Sequence, residues 1–171
     1  MESRSTQPLR WFLWIAVMLA ICIPAHASNA CPWMNEATAS GLLGDEAVGS
    51  YTAASSTNRR ATCRFTQGNG AAVRTLVLEV ESIPDASTKV RSMQKTCSSA
   101  ATTLQAIGNE AVVCAADDGK SRLGEFVVGR VRDQMFTIRI SSSLKNDPVL
   151  TREALRNRIS SAAEQIAGNL F

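Results

Sequence analysis

The side chains that most often carry acid-base or nucleophilic chemistry are scarce in this sequence. The only histidine is His26, and it lies in a leader-like segment that we expect to be removed on export. The remaining chain then contains no imidazole, which excludes Ser-His-Asp and Cys-His nucleophile activation as well as histidine metal sites. Carboxylate pairs and a lysine base are the catalytic options that remain.

Three pairs of nearby carboxylates could act as general acid and base. They are Asp45 with Glu46, Glu79 with Glu81, and Asp117 with Asp118. The first pair follows a helix-ending glycine, the second recurs at strand spacing on an exposed face, and the third opens a DDGK segment typical of a hairpin turn. No phosphate-binding, dinucleotide-binding or calcium-binding motif is present. We therefore expect a protein that is not an enzyme and that holds no cofactor or metal.

Cysteines offer a second kind of chemistry, and four of the five lie beyond the leader-like segment. These are Cys31, Cys63, Cys97 and Cys114. An even number of cysteines in an exported chain indicates disulfides, and three pairings are open. We favour Cys31 with Cys63 and Cys97 with Cys114, because each bond then joins neighbouring elements within its own half of the chain. No C-x-x-C pair supplies the close spacing of zinc or redox sites.

The N-terminal residues have the order of charge, apolar run and small residues that is typical of a secretory signal. Arg4 and Arg10 flank the start, WFLWIAVMLAICI follows, Pro24 ends the run, and residues 25–27 form an A-x-A cleavage site. The apolar run is too short to span a bilayer comfortably. We predict a signal peptide over residues 1–30 and a secreted or periplasmic protein.

Two alternatives to simple secretion remain open. The leader could be retained as an N-terminal anchor, or Cys22 could be lipidated, although the bulky Ile21 fits a lipobox poorly. Residues 28–30, with the sequence Ser-Asn-Ala, form a second acceptable cleavage site, so we expect the mature chain to begin near Ser28 or Cys31.

The mature chain, residues 31–171, has the usual size of one domain and contains no further candidate membrane span. Removal of residues 1–30 leaves 16 Lys and Arg against 14 Asp and Glu, a net charge of +2. So weak a charge gives little attraction for nucleic acid or acidic membranes. We therefore expect the partner to be an unknown small molecule or an envelope protein.

The first half of the mature chain predicts one helix and a hairpin. Asn35 caps a short helix over residues 36–43 that Gly44 ends, and a weak strand follows around residues 48–53. The runs RRATCRFT and AVRTLVLEVES flank a turn at residues 68–70. Alternation in the second run predicts that one of its faces is buried and that the other is largely exposed. The buried set is Leu76, Leu78 and Val80.

The second half predicts two more helices and another pair of strands. Pro84-Asp85 opens a helix of about a dozen residues that carries Cys97 towards the core. Residues 104–114 are expected to be extended, and RLGEFVVGRV and QMFTIRIS pair across Asp133-Gln134. Asp147-Pro148 caps a final amphipathic helix that ends at Gly168. Its buried stripe is Leu155, Ile159, Ala162 or Ala163, and Ile166.

These elements predict the α+β class, with antiparallel strands packed against about three helices and two disulfides. LLGDEAV at residues 42–48 and AIGNEAV at residues 106–112 are similar. A duplicated helix-plus-three-strand unit would explain the similarity, and two similar turns would explain it equally well.

Several short segments together resemble a family. They are EATASGLLG after the first cysteine, CRF, LVLEV, GNEAVVC and AAEQIAGNL. The chain resembles small secreted or lipid-anchored bacterial domains related to the extracellular sensor domains of receptor kinases. This resemblance implies an α+β sandwich with two disulfides, a cleft between sheet and helices, and ligand or partner sensing at the cell envelope.

The leading functional hypothesis is therefore an exported, non-enzymatic binding or sensor-like module. The alternative is an interaction or inhibitor protein that blocks a partner such as a protease. Candidate binding-surface residues are Trp33, beside Pro32, and the pair Arg59 and Arg60 on a predicted loop. Each has a plainer interpretation, because Trp33 could fill space beside the first disulfide and the arginines could be solvated.

Overall fold

In the part of the chain that the structure describes, the alternating runs of the sequence form one seven-stranded antiparallel sheet, which packs against three helices. The computed structural model describes residues 30–68, 70, 72–97, 99–116 and 122–171. Residues 1–29 of the predicted leader, Asn69 of the predicted turn and the DDGK segment lie outside these ranges. In chain order the elements are α1 Glu36–Leu43, β1 Ala47–Thr52, β2 Arg60–Gln67, β3 Arg74–Ser82, α2 Ala86–Gln94, β4 Thr102–Thr103, β5 Glu110–Ala115, β6 Leu123–Val131, β7 Gln134–Ser142 and α3 Arg152–Leu170.

The strands lie in the order β1-β2-β3-β7-β6-β5-β4, so a three-stranded meander, β1 to β3, and a four-stranded one, β4 to β7, meet where β3 pairs with β7. The α+β class is confirmed. The strand part of the predicted repeat occurs twice, as β1-β2-β3 and as β5-β6-β7. The helices are not placed equivalently, because α1 packs with the core of one sheet face and α2 with the core of the other.

The larger core fills the sheet face covered by α1 and α3. Leu76, Leu78 and Val80 of β3 are buried there, as the alternation predicts, and they lie in register with three buried residues of β7. Those three are Phe136, Ile138 and Ile140. The predicted stripe of α3 is also buried against this face, from Leu155 to Ile166. This face is therefore sealed by two helices.

The other sheet face is only half covered. α2 lays Ala86 and Val90 over β5, β6 and β7, where they pack with a small core. Its sheet members are Val112, Cys114, Phe126, Val128 and Met135. No helix of the described ranges packs on the β1-β2-β3 half of this face, where Val48 is 71% exposed. The two sheet faces are therefore unlike, because helices cover one face and α2 covers only half of the other.

The two disulfides are those favoured by the sequence. Cys31 is bonded to Cys63 of β2, and Cys97 to Cys114 of β5, with Cα atoms 5.6 and 5.7 Å apart. Cys63 belongs to the larger core and Cys114 to the smaller one. Each core is thus tied by one bond, and each bond stays within one half of the chain.

Three boundaries differ from the sequence prediction. α2 ends at Gln94, so Cys97 follows the helix instead of closing it. Residues 104–114 are not continuously extended, because a turn with positive φ at Ala106 and Gly108 precedes β5. The last helix begins at Arg152, is capped by Thr151, and continues past Gly168 to Leu170. The predicted cap at Asp147 was wrong, because its carboxylate accepts the N–H groups of Val149 and Leu150 in the segment before the helix. Thr151 is the residue that accepts the first-turn N–H of Ala154.

Asp147 is buried and accepts hydrogen bonds from Arg74 Nε and Nη2, from Ser142 Oγ and from the backbone N–H groups of Val149 and Leu150. Burial acts to raise the pKa of Asp147, but these hydrogen bonds lower it by more, so the pKa lies well below its ordinary value. The carboxylate therefore holds the β7–α3 loop against β3.

None of the helices in the described part of the chain is long and apolar enough to cross a membrane.

Candidate functional site

A groove of about 370 Å³ lies on the half-covered sheet face, beside α2. Its lining includes three arginines, Arg64, Arg122 and Arg139, and we call it the arginine groove. The sheet contributes residues from β2, β3, β6 and β7, and α2 contributes Met93. The site is therefore assembled from strands that are distant in sequence, at the border between covered and open sheet.

Strand register places two of the arginines in one row. Arg64 of β2 pairs with Val77 of β3, and Val77 pairs with Arg139 of β7. Residues paired across a sheet point to the same face, and neighbouring strands lie about 4.8 Å apart. The Cα atoms of Arg64 and Arg139 are therefore separated by about 10 Å. The long cationic side chains of Arg64 and Arg139 therefore lie on either side of the half-buried Val77. Both are long enough to reach the space above it.

Hydroxyl groups line the groove next to this row. Thr75 and Ser141 are paired with each other, two residues along their strands from Val77 and Arg139. Thr137 lies on the other side of the row and donates its hydroxyl to Glu79 Oε2 at 3.2 Å. Val77, Met93 and Phe126 supply an apolar floor. The groove thus combines cations, neutral donors and apolar surface within one small volume.

Glu79 is the carboxylate among the residues lining the groove, and it already accepts hydrogen bonds from other side chains. Its Oε2 receives both the Thr137 hydroxyl and Arg60 Nη1, the latter at 3.3 Å. Arg60 also reaches Glu81 Oε2 at 3.4 Å through Nη2. The two carboxylates that the sequence offered as an acid-base pair are therefore bound to one guanidinium.

The two arginines of the central row differ in their contacts. The guanidinium of Arg139 lies over the ring of Phe126, 5.0 Å from its centroid, and Nη1 donates to the Ala116 carbonyl at 3.5 Å. Arg64 is exposed and has no carboxylate within ion-pair distance in the described part of the chain. Arg139 is therefore positioned by the protein, and the charge of Arg64 is unmatched by these residues.

The structure places the three candidate surface residues in different surroundings. Trp33 is half-buried against the larger core, on the opposite side of the sheet from the groove. Its ring packs edge to face on Tyr51 at 6.3 Å between centroids, and its carbonyl accepts a hydrogen bond from Asn169 Nδ2. Trp33 therefore contributes to packing beside the first disulfide and does not line the groove.

The arginine pair predicted on a loop is divided between a loop and a strand. Arg59 is exposed and donates to the Ser82 carbonyl at 2.6 Å. Arg60 is the first residue of β2, because its backbone pairs with Glu81 of β3. Only Arg60 approaches the groove, through its ion pair with Glu79. The three candidate residues are not brought together.

The other candidate carboxylates form no catalytic arrangement in the described ranges. Asp45 and Glu46 are exposed, and Asp45 Oδ1 accepts the backbone N–H of Glu46. Asp117 and Asp118 lie outside those ranges. Among the residues that the structure describes, no three His, Cys, Asp or Glu side chains are grouped closely enough to hold a metal ion.

In two further cavities, the carboxylates of the lining are already hydrogen-bonded to the protein. One, of about 380 Å³, lies between the start of the described chain and β1, with Met34 and Phe65 in its lining. The carboxylate of Glu36 in that lining is already bound to the N–H of Gly49 at 2.7 Å. The other, of about 530 Å³, is a wide depression around Asp147, which is already fully bonded. Its other charged lining residues are Lys145 and Arg152, and Arg152 is paired with Glu125. The arginine groove differs from both cavities because it places three arginines beside hydroxyl groups and apolar side chains.

The binding residues predicted from the sequence do not include Arg64, Arg122 or Arg139. The available signal was a cation at an outward strand position in each of two runs, CRF and TIRI. That signal becomes a site only through the β2-β3-β7 register, which brings together residues 75 positions apart. No family model, curated protein or solved structure matches the chain.

Proposed function

We propose that this protein is an exported, non-enzymatic binding module of the bacterial cell envelope that takes up a small molecule in the arginine groove. The proposal rests on one observation: helix α2 covers only half of the second sheet face. α2 stops short of the β1-β2-β3 half, and the border gathers charged, hydroxyl and apolar side chains in one groove. Small-molecule sites have this mixture of apolar lining and a few polar groups.

Export is supported by the sequence of the first 30 residues and by the two cross-links. Disulfides persist in secreted and periplasmic proteins and are rare in reducing compartments. Both disulfides have Cα separations within the usual range for a formed bond. A leader that directs the chain to an oxidising compartment would allow both bonds to form.

A binding role is favoured over catalysis because the carboxylate that the described residues place in the groove is already hydrogen-bonded to other side chains. Glu79, the carboxylate in its lining, receives hydrogen bonds from Arg60 and Thr137. The predicted mature chain contains no histidine. Arginine guanidinium groups stay protonated and act as binding groups, not as general bases. The groove residues are therefore suited to holding a ligand.

The proposal is tested by recovering the ligand and then blocking the groove. The purified, oxidised protein is incubated with an extract of cell envelopes, and bound molecules are identified by native mass spectrometry. Val77→Phe places a large ring at the centre of the groove, and we expect it to abolish binding. Val48→Phe is the matched control, because Val48 is an exposed strand residue on the same sheet half that does not line the groove.

Three results would count against this function. One is recovery of no small molecule at all. Another is chemical turnover of the recovered molecule by the wild-type protein but not by Val77→Phe. The third is a stable protein complex that survives both substitutions, which would favour the interaction or inhibitor role instead.

A further inference from the structure

We infer that the ligand of the arginine groove is a small organic acid, with an anionic head held by the arginines and an apolar body lying on the groove floor. The inference rests on the proposed function and adds the chemical class of the ligand. The anionic head and the apolar body of the ligand are inferred from two separate sets of side chains in the groove.

The negative charge of the head group is inferred from the row formed by Arg64, Val77 and Arg139. Arg64 and Arg139 stand on either side of a residue without charge, so an anion above Val77 can receive N–H donors from both. Arginine binds carboxylate and phosphate in a bidentate manner through its planar fork of donors. A neutral head group would leave the charge of Arg64 unmatched by the described residues of the groove.

Pre-organisation of Arg139 also favours an anion. Arg139 lies over Phe126 and is held by the Ala116 carbonyl, so less side-chain freedom is lost when it binds a ligand. Thr75 and Ser141, paired in the adjacent row, can donate hydroxyl hydrogen bonds to the same head group. Two positioned hydroxyl groups beside two guanidinium groups suit an oxyanion with several acceptor atoms.

The apolar character of the ligand body is inferred from the apolar side chains that form the floor of the groove. Val77 lies between the two arginines and Met93 lies on α2, and both side chains are only partly buried, so they leave apolar surface open in the groove. Methionine adapts its shape to irregular ligands. Phe126 is almost fully buried beneath the Arg139 guanidinium, so it supports this surface from below. The volume of about 370 Å³ is near the lower end of the range for small-molecule sites. An inorganic anion would leave this apolar floor uncovered, whereas a small aryl or short alkyl acid would cover it.

The test compares probes that differ only in the head group. Phenylacetate, phenylacetamide, phenyl phosphate and inorganic phosphate are titrated at millimolar concentrations, and the backbone amide resonances of β2, β3 and β7 are followed. We expect phenylacetate or phenyl phosphate to bind at least about tenfold more tightly than phenylacetamide. Inorganic phosphate should bind more weakly than phenyl phosphate because it lacks the apolar body. The acid that binds more tightly identifies a carboxylate or phosphate preference.

Charge-removing variants show which groups carry the preference. Arg64→Gln and Arg139→Gln should each weaken binding of the preferred acid about tenfold and leave binding of the amide unchanged. Arg64→Gln is the cleaner variant, because Arg64 is exposed and its loss should not disturb the fold. Arg91→Gln is the matched control, since Arg91 is exposed on α2, outside the groove lining, and should bind as the wild type does.

Several outcomes would overturn the inference while leaving the proposed function intact. These are equal affinities for acid and amide, unchanged acid binding in Arg64→Gln, or recovery of a neutral envelope molecule whose binding Val77→Phe abolishes. Failure of every acid probe to shift resonances near Arg64, Val77 and Arg139 would also overturn it. If Val77→Phe leaves the binding of all recovered molecules unchanged, the proposed function itself fails.

Discussion

Arg74 and Asp147 are 73 residues apart in sequence, yet Nε of Arg74 donates to Oδ2 of Asp147 at 2.7 Å and Nη2 donates to Oδ1 at 2.9 Å. Both side chains are buried, and Arg74 Nη1 is bonded to Gln67 Oε1 at 2.9 Å. The pair therefore joins β2, β3 and the loop that leads into α3. It is a buried electrostatic connection between the two halves of the chain.

Asp147→Asn should be strongly destabilising. The substitution keeps the size of the side chain but leaves the charge of Arg74 buried without a counter-charge, at a cost of about 3 to 5 kcal/mol. The free energy of unfolding from urea titration measures the loss. Asp45→Asn removes an exposed carboxylate and should change stability by less than about 0.5 kcal/mol. Equal stability of the two variants would contradict the role assigned to the pair.

The same carboxylate should make stability depend on pH on the acid side. Because the folded pKa of Asp147 is lowered, its contribution is fully present above the unfolded pKa of about 3.9 and is lost as pH falls below that value. The difference in unfolding free energy between wild type and Asp147→Asn should therefore shrink below about pH 4. A difference that stays constant from neutral to strongly acidic pH would show that the aspartate titrates normally.

Each disulfide should contribute a similar share of stability. The bonds span 32 and 17 residues, for which the chain-entropy model gives about 3.7 and 3.1 kcal/mol respectively. The double variants Cys31→Ala with Cys63→Ala, and Cys97→Ala with Cys114→Ala, separate the two contributions in unfolding experiments. Measurement in the presence of a reductant is the control, since it should abolish the difference between wild type and either variant.

Side chains of α1 should keep the sheet edge at β1 from pairing with another molecule. Ser40 Oγ accepts the N–H of Ala47 at 2.9 Å, and Glu36 Oε1 accepts that of Gly49 at 2.7 Å. Both acceptors therefore satisfy edge donors that a foreign strand would otherwise use. The Glu36→Ala, Ser40→Ala double variant should show self-association that increases with concentration in analytical ultracentrifugation.

Glu36→Gln is the control for that experiment. Its amide oxygen can still accept the N–H of Gly49, so it should behave as the wild type does. If the double variant remains as monodisperse as Glu36→Gln at every concentration, these contacts do not protect the edge.

Two glycines should respond to alanine in opposite directions. A Cβ on Gly129 of β6 would lie 2.6 Å from the ring of Phe136 and 3.0 Å from Ala111 Cβ. Gly129→Ala should therefore cost about 1 to 3 kcal/mol through overpacking. Gly41 lies inside α1, and a Cβ there would meet no neighbouring side chain or strand within 4 Å. Gly41→Ala should stabilise by about 0.5 to 1 kcal/mol, and thermal unfolding compares the two.

Local sequence signals predicted much of the fold. The alternation of Leu76, Leu78 and Val80 identified both a strand and its buried face, because a half-exposed strand has period two. Asn35 and Gly44 marked both ends of α1, since an N-cap acceptor and a left-handed glycine are local requirements. The cysteine pairing also followed from proximity along the chain.

Long-range contacts account for what the sequence did not predict. Asp147 before a proline has the pattern of a helix cap, but the helix begins only at Arg152, and the ion pair of Asp147 with Arg74, 73 residues away, has no local signal. The arginine groove depends in the same way on the pairing of β3 with β7, without which Arg64 and Arg139 are unrelated outward residues. The placement of α2 on the opposite face from α1 likewise has no local signal, because each helix buries only a short apolar set that either face could accept.

The order of the cysteine bonds bears on how the chain can reach its native state. The first cysteine of the described chain pairs with the second, and the third with the fourth. A polypeptide that enters an oxidising compartment from its amino end therefore meets each correct thiol partner before any wrong one has arrived. Assembly in that direction needs no shuffling of mismatched sulfur pairs, whereas refolding of the reduced chain from residue 31 onward exposes all four thiols at once.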